Sequence, residues 1–469
     1  MYDLTLGQIA DIVEGQLEGD AGLIVSGVTT DSRTSSRGEL FGAIVGSRFD
    51  GHDCIEEAMT SGVVAALVSR KVAGPHVLVP ESPDELDPVI HALAKLATHI
   101  RKLMVNVEVV GITGSSGKTS TKDMIGQVLS HAGKTHAPAG SLNNELGLPL
   151  TILSAPTNLK YLVTEMGMRG MNQITQLCSI AQPSIGVVTN VGHAHIGEVG
   201  SVENIAKAKS ELIKAIPADG VAILNADDPR VSAMRTITQA TIFSYGFSSE
   251  ADVRAEKMAI NSNGTYDFDL VYGGNRVPTS IPMLGEHNIS NALAAATVGL
   301  AVGMELEEIA SALTELKQVS KWRMEVIQLP GDVTIINDAY NANPESMSAA
   351  LETLASIPAE GKTWAVVGKM HELGESSDQL HEQVIAHANQ LGISHVVAVG
   401  EPAASYGLIN SGESEAKAVW LHDFALATDY IVNGVNSGDV LLLKASRAEK
   451  FELLAKEIED RLRKKWSQP

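Results

Sequence analysis

Apolar positions along the chain fall into two patterns. Short β-branched runs alternate with stretches in which apolar residues recur every three or four positions. The first pattern predicts buried strands, the second amphipathic helices, and their alternation predicts an α/β fold with mostly parallel sheets. In residues 1–82, strand-like runs occur at 23–25, 40–45, 63–68 and 77–79, with a helical pattern over 53–61. The acidic, Pro-rich stretch 80–88 reads as a boundary leading into a helix over 89–102. Residues 83–317 carry strand runs at 107–112, 161–164, 185–189, 221–224 and 241–245. Residues 318–469 repeat the alternation on a smaller scale, with runs at 334–337, 363–367, 395–399 and 440–443. Three domains are therefore expected, the third Rossmann-like but without a dinucleotide fingerprint.

A length of 469 residues supports this division, because it exceeds one ordinary hydrophobic core. Lys and Arg number 35 against 56 Asp and Glu, a formal charge of −21. That balance argues against nucleic acid as a partner, since phosphate backbones demand dense positive charge. Anionic ligands must instead be held by local devices. Cys54 and Cys178 are too far apart for a metal or redox pair, which suggests a reducing compartment. The first residues lack a basic region followed by an apolar core, and no apolar run reaches the ~18 residues of a membrane helix. No membrane insertion and a cytoplasmic location are expected.

The strongest chemical signal is Gly111-Ile-Thr-Gly-Ser-Ser-Gly-Lys-Thr119, placed between a buried strand and a helix. Such a loop turns its N–H groups toward bound phosphate and opens onto a helix N-terminus. Thr113, Gly114, Ser115, Ser116, Gly117 and Ser120 would line it, Lys118 would reach terminal phosphates, and the Thr119 hydroxyl would hold Mg²⁺. Five residues separate Gly111 from Gly117, one more than in the usual Walker A loop. Glu165 ends a strand where a carboxylate can bind Mg²⁺; an exposed strand-end Glu is the plain alternative. Asn190, His193 and His195 follow another strand and offer ligands for a second divalent ion, or one His is simply packed. Lys207 and Lys209 lie on a helical pattern; one could approach metals or phosphates, but by sequence alone a solvated helix face is the favoured reading. His287, Asn288 and Asn291 gather near a helix start, as nucleotide contacts or as caps. Asp338 and Asn341 suit ribose or Mg²⁺ and Tyr340 a base, although as isolated residues they pass for turn formers. Arg323 could neutralise phosphate, and Lys444, Ser446 and Arg447 sit at a strand end apt for a carboxylate.

Together these stretches resemble the Mur ligase family, the ATP-dependent amino-acid and peptide ligases of peptidoglycan synthesis. The match spans essentially the whole chain and keeps the family's motif order. Thr164-Glu-Met-Gly167 and Thr189-Asn-Val-Gly-His-Ala-His195 are similar to its metal segments. Ala206-Lys-Ala-Lys-Ser-Glu-Leu212 is similar to the segment whose lysine is carbamylated by CO2, with Lys209 the best match. Gly285-Glu-His-Asn-Ile-Ser-Asn291 is similar to its adenine-contacting motif. Asp338-Ala-Tyr-Asn-Ala-Asn-Pro-Glu-Ser-Met347, Glu372-Leu-Gly-Glu375, His381 and Lys444-Ala-Ser-Arg447 resemble the branch that adds D-alanyl-D-alanine. Thr30, Asp31, Ser32 and Arg33, with Arg48, Phe49, Asp50, Gly51 and His52, resemble its UDP-sugar-binding first domain.

The resemblance implies ligation of D-Ala-D-Ala to UDP-MurNAc-tripeptide with ATP, through an acyl phosphate. It implies two Mg²⁺, one on Thr119 and Glu165 and one on His195 and carbamylated Lys209. It places adenosine on Asn288, Asn291, Asp338, Tyr340 and Asn341, a phosphate on Arg323, and the dipeptide on Asn343, Lys444, Ser446 and Arg447. It also implies a monomer. Two positions depart from the branch: Lys369 stands where Asp is usual and Ala445 where Gly is usual. Alternative readings are a ligase that adds a single amino acid, a folate-type ligase, or a nucleotide-dependent switch or scaffold. The diaminopimelate-adding branch's Asp-Asn-Pro-Arg signature is absent from the sequence.

Overall fold

Among the described residues the largest sheet has nine strands, and the P-loop strand Glu108–Thr113 sits inside it, flanked by Tyr161–Glu165 and Ile185–Val188. The computed structural model describes residues 2–83, 86–400 and 417–467. Of the expected boundary stretch at 80–88, Asp84 and Glu85 fall outside the described residues. From the short edge strand Thr135–His136 to Val253–Ile260, neighbouring strands of the large sheet run parallel. Val110, Ile112, Val163 and Val187 are fully buried, as befits strands covered on both faces.

Two further strands, Thr265–Tyr272 and Asn275–Leu284, join Val253–Ile260 in an antiparallel ribbon at one edge. The sequence reading missed this ribbon. Its strands alternate apolar with Asp, Thr and Ser instead of forming continuous apolar runs. Such alternation marks a sheet with only one covered face.

A five-stranded sheet precedes the large one, ordered Gln16–Glu18, His76–Leu78, Ala65–Val68, Glu39–Gly42, Gly27–Thr29 and parallel except at its first strand. A six-stranded sheet follows, parallel except for the edge strand Glu325–Leu329. A short antiparallel pair, Leu4–Thr5 with Ile24–Val25, forms a fourth sheet among the described residues. The fold is thus α/β, as the patterning predicts.

Helix Pro88–Leu103 links the first two sheets. Asp87 caps it by accepting from the N–H groups of Val89 and Ile90, with Pro88 at its first position. Its apolar stripe, including Leu93, Leu96 and Ile100, is fully buried. No helix among the described residues is long and apolar enough to cross a membrane.

Candidate active site

A cleft of about 1660 Å³ opens at the C-terminal ends of the large sheet's strands and is roofed by the six-stranded unit. This is where an open α/β sheet binds ligands. Ser115 to Ser120, Glu165, Asn190, His195, Asn288, Asn291, Arg323, Asp338, Tyr340, Asn341, Asn343, Lys444, Ser446 and Arg447 all border it. Residues read from seven separate stretches of sequence therefore converge. Gly111 and Thr113 belong to the strand beneath the loop; Gly111 packs under Leu212 and Met166.

The loop is held by neighbours that tolerate no side chain at its glycines. A Cβ on Gly114 would lie 1.8 Å from Thr189 Oγ1, and one on Gly117 would lie 2.6 Å from Asn291 Oδ1. Gly117 also has φ +76°, a left-handed conformation that favours glycine. Ser116 N and Oγ donate to Asn190 Oδ1 at 2.9 and 3.2 Å, and Gly192 N donates to Ser115 Oγ at 2.8 Å. The Thr189–Gly192 segment thus shapes the phosphate loop from behind. Lys118 opens helix Lys118–Ala132 and folds back to donate to Gly114 O at 2.7 Å. Burial lowers the Lys118 pKa, opposed by Glu165 and reinforced by Arg323.

Glu165 is buried at its strand end and accepts three hydrogen bonds. Thr119 Oγ1 donates to Oε2 at 2.8 Å; Ser141 Oγ and Asn143 Nδ2 donate to Oε1 at 2.8 and 2.7 Å. Ser141 and Asn143 were not among the residues read from the sequence. The clue was the polar cluster of Ser141 with Asn143, Asn144 and Glu145, unusual after a short strand. Among the described residues no three His, Cys, Asp or Glu side chains cluster as a metal cage. Mg²⁺ needs no such cage, since it keeps waters and uses one or two carboxylates plus phosphates. Thr119 and Glu165 therefore fit it.

Arg323 donates to Thr119 Oγ1 at 3.0 Å and stacks on the Tyr340 ring, 3.9 Å from its centroid. Among the described residues its buried Nε has no hydrogen-bond partner, and neither does the buried Nδ1 of His287 beside it in the cleft. Burial pushes the His287 pKa down to about 4, so its ring is neutral. An unpartnered guanidinium N–H next to the P-loop suits phosphate. Asn288 and Asn291 do not cap their helix; Gly285 precedes it. Instead Asn291 Nδ2 donates to Asn288 Oδ1 at 3.0 Å, and Asn291 Oδ1 accepts from Thr121 at 3.1 Å.

Asp338 and Lys444, assigned to different ligands from the sequence, form one buried ion pair with Nζ 2.5 Å from Oδ2. Lys444 also donates to Asn341 O at 2.9 Å. Asn343 caps helix Pro344–Ser356 and reaches Ser115 O at 3.4 Å. Arg447 stacks on Trp322 and pairs with Glu452 at 2.5 Å. The two departures lie off the cleft wall: Ala445 is wholly buried beneath Gly368, and the Lys369 carbonyl accepts from Ser446 N at 3.0 Å.

His195 and Lys209 differ in setting. His195 Nδ1 lies 2.5 Å from Glu372 Oε2, which holds the Glu372 carboxyl below its usual range. Lys209 is buried in helix Val202–Ala215, with no hydrogen bond or ion pair among the described residues. Burial, then Lys118, drives its pKa well below the ordinary lysine value. That shift favours the neutral amine, the form whose lone pair attacks CO2.

The first-domain segments do not border the cleft. Arg33 forks onto Asp31, with Nε and Nη2 at 2.8 and 2.7 Å, and Ser32 Oγ donates to Glu57 at 2.6 Å. Asp50 pairs with Arg70 and lies 2.6 Å from Nδ1 of buried His52, whose Nε2 accepts from Ser69 N at 3.1 Å. Phe49 stands largely exposed beside them.

Comparison with known proteins agrees with this arrangement. Family profiles described as Mur ligase family, catalytic domain; Mur ligase middle domain; and Mur ligase, glutamate ligase domain match residues 24–102, 112–299 and 322–447. A UDP-N-acetylmuramoyl-tripeptide–D-alanyl-D-alanine ligase of Mycobacterium tuberculosis is 40% identical, covering 96% of each chain. The Bacillus subtilis ligase of that name is 35% identical over 98% of this chain and 99% of its own. MurF from Acinetobacter baumannii superposes with a TM-score of 0.87 at 30% identity, over 98% of this chain and 99% of that one. MurF ligase from Thermotoga maritima in complex with ADP gives 0.80 at 30% identity, over 94% and 99%. The chain belongs to the Mur ligase family.

Proposed function

We propose that this chain joins D-Ala-D-Ala to UDP-MurNAc-tripeptide at the expense of ATP, an acid–amino-acid ligation that forms a C–N bond. The reading is carried by likeness to ligases of that name along nearly the whole chain, together with a P-loop whose Lys118, Thr119 and Glu165 meet in one cleft. A carboxylate resists an attacking amine because of its charge. Transfer of the γ-phosphoryl group to it makes an acyl phosphate with a good leaving group, and the dipeptide amine then displaces phosphate. The first step depends chiefly on positioning and charge neutralisation.

In this reading the N–H groups of the 114–119 loop and Lys118 hold the β- and γ-phosphates, with Arg323 as a further cation. Asn288, Asn291, Asp338, Tyr340 and Asn341 surround the adenosine. Thr119 and Glu165 hold one Mg²⁺, and His195 with carbamylated Lys209 a second. Bound Mg²⁺ supplies neutralisation of phosphate charge. Asn343, Lys444, Ser446 and Arg447 face the dipeptide. Thr30 to Arg33 and Arg48 to His52 take the UDP-sugar; they reach the cleft only through movement of the first unit, since they do not border it here. The enzyme acts as a cytoplasmic monomer in peptidoglycan precursor synthesis.

The test is product mass with alternative acceptors. UDP-MurNAc-tripeptide, ATP and D-Ala-D-Ala should yield the pentapeptide, whereas lysine or diaminopimelate should yield nothing.

A further inference from the structure

Lys122 is a buried cation that the reaction above does not use. It lies one turn after Lys118 in helix Lys118–Ala132 and is 1% exposed. A buried lysine must satisfy three N–H donors or lose stability. Here its Nζ donates to Pro138 O, to Gly140 O at 3.1 Å, and lies 2.7 Å from Asp123 Oδ1. Both hydrogen-bond acceptors are main-chain carbonyls of one loop, and the Asp123 contact is an ion pair. That loop is further tied by Gly140 N, which donates to Ser320 Oγ at 3.2 Å, and Gly140 has φ +78°. Ser141 is the next residue, and with Asn143 it supplies both donors on Glu165 Oε1.

We propose that Lys122 is a positioning residue for the metal-binding carboxylate: it pins the 138–141 loop so that Ser141 and Asn143 orient Glu165 toward Thr119. The inference rests on Glu165 serving Mg²⁺, as proposed above. The same helix thus carries Lys118 and Thr119 at its start and, one turn on, the clamp that aligns their carboxylate partner. A surface lysine could not do this, since water would compete for each carbonyl.

The experiment compares wild type with K122M and K122Q. Hydrogen exchange without ligand reads the loop directly: in K122M the amides of 139–144 should exchange at least tenfold faster, with the Lys118–Ala132 helix and the six-stranded unit unchanged. ADP is then titrated with and without Mg²⁺. K122M should lose about tenfold in ADP affinity with Mg²⁺ and bind as wild type in EDTA. K122Q, which still donates an N–H, should fall between the two and serves alone where K122M does not fold. Wild-type exchange in the loop, or an undiminished Mg²⁺ benefit, would overturn the proposal. Wild-type ADP binding indifferent to Mg²⁺ would instead remove the Glu165 assignment, while the exchange rates still decide whether Lys122 pins the loop.

Discussion

Glu345 Oε1 accepts from the backbone N–H of His193 at 2.8 Å and lies 2.6 Å from its Nδ1, bridging the large sheet's unit to the six-stranded one. A Cβ on Gly192 would lie 2.3 Å from the Glu345 carboxyl carbon, so the backbone must approach closely there. Glu372 makes a second contact between the same two units, an ion pair with His195, and its carbonyl accepts from Gly197 N at 3.1 Å. These contacts clasp the roof onto the nucleotide loop. Each pair is partly exposed and contributes about 1 kcal/mol at most. E345A should therefore lower turnover about fivefold, and E345A/E372A by more than either alone. Small-angle scattering should show a larger radius of gyration for the double variant. An unchanged radius would mean that the clasp does not hold the two units together.

Lys209 sets stability against activity. Its folded pKa is lowered, so the unfolded chain binds more protons and stability rises with pH. The penalty is absent above the ordinary lysine value of about 10.4 and grows as pH falls toward the lowered folded value. In CO2-free buffer at neutral pH, K209M should raise the melting temperature and flatten its pH dependence, while ligation is abolished. Labelled ¹³CO2 should give a carbamate signal in wild type that K209M lacks. Full ligation by K209M would dismiss the carbamate.

The Asp338–Lys444 pair is buried, and burial lowers the Lys444 pKa against the opposing pull of Asp338. Removing one partner strands a charge. K444A should cost about 3–5 kcal/mol, and D338L/K444M much less. Denaturant unfolding distinguishes the two. Equal losses would mean that the pair is not coupled.

Arg447 tests the acceptor side. Its guanidinium borders the cleft while stacked on Trp322. R447A should raise the KM for D-Ala-D-Ala about tenfold and leave the KM for ATP unchanged. A matching rise in both would move Arg447 from the acceptor to the nucleotide.

Much of this is legible in the amino-acid sequence. The P-loop, its strand and helix, and the parallel strands were readable because buried strands are continuous apolar runs. Glu165 and Asp338 were readable as polar residues at strand exits. The ribbon over 253–284 was not, because its alternating pattern encodes one exposed face. Nor were Ser141 and Asn143, and Glu345 and Glu372 were visible only as members of motifs, because the significance of all four lies in which distant residue they meet. The pairing of Asp338 with Lys444 is of the same kind: 106 positions apart in sequence, they meet because their strands lie side by side.

Phosphate release from ATP with UDP-MurNAc-tripeptide, with and without D-Ala-D-Ala, tests the central claim most directly when product mass is read alongside. Release that requires both substrates and yields the pentapeptide is the predicted result. Release driven by a single amino acid, or no substrate-dependent turnover at all, would contradict it.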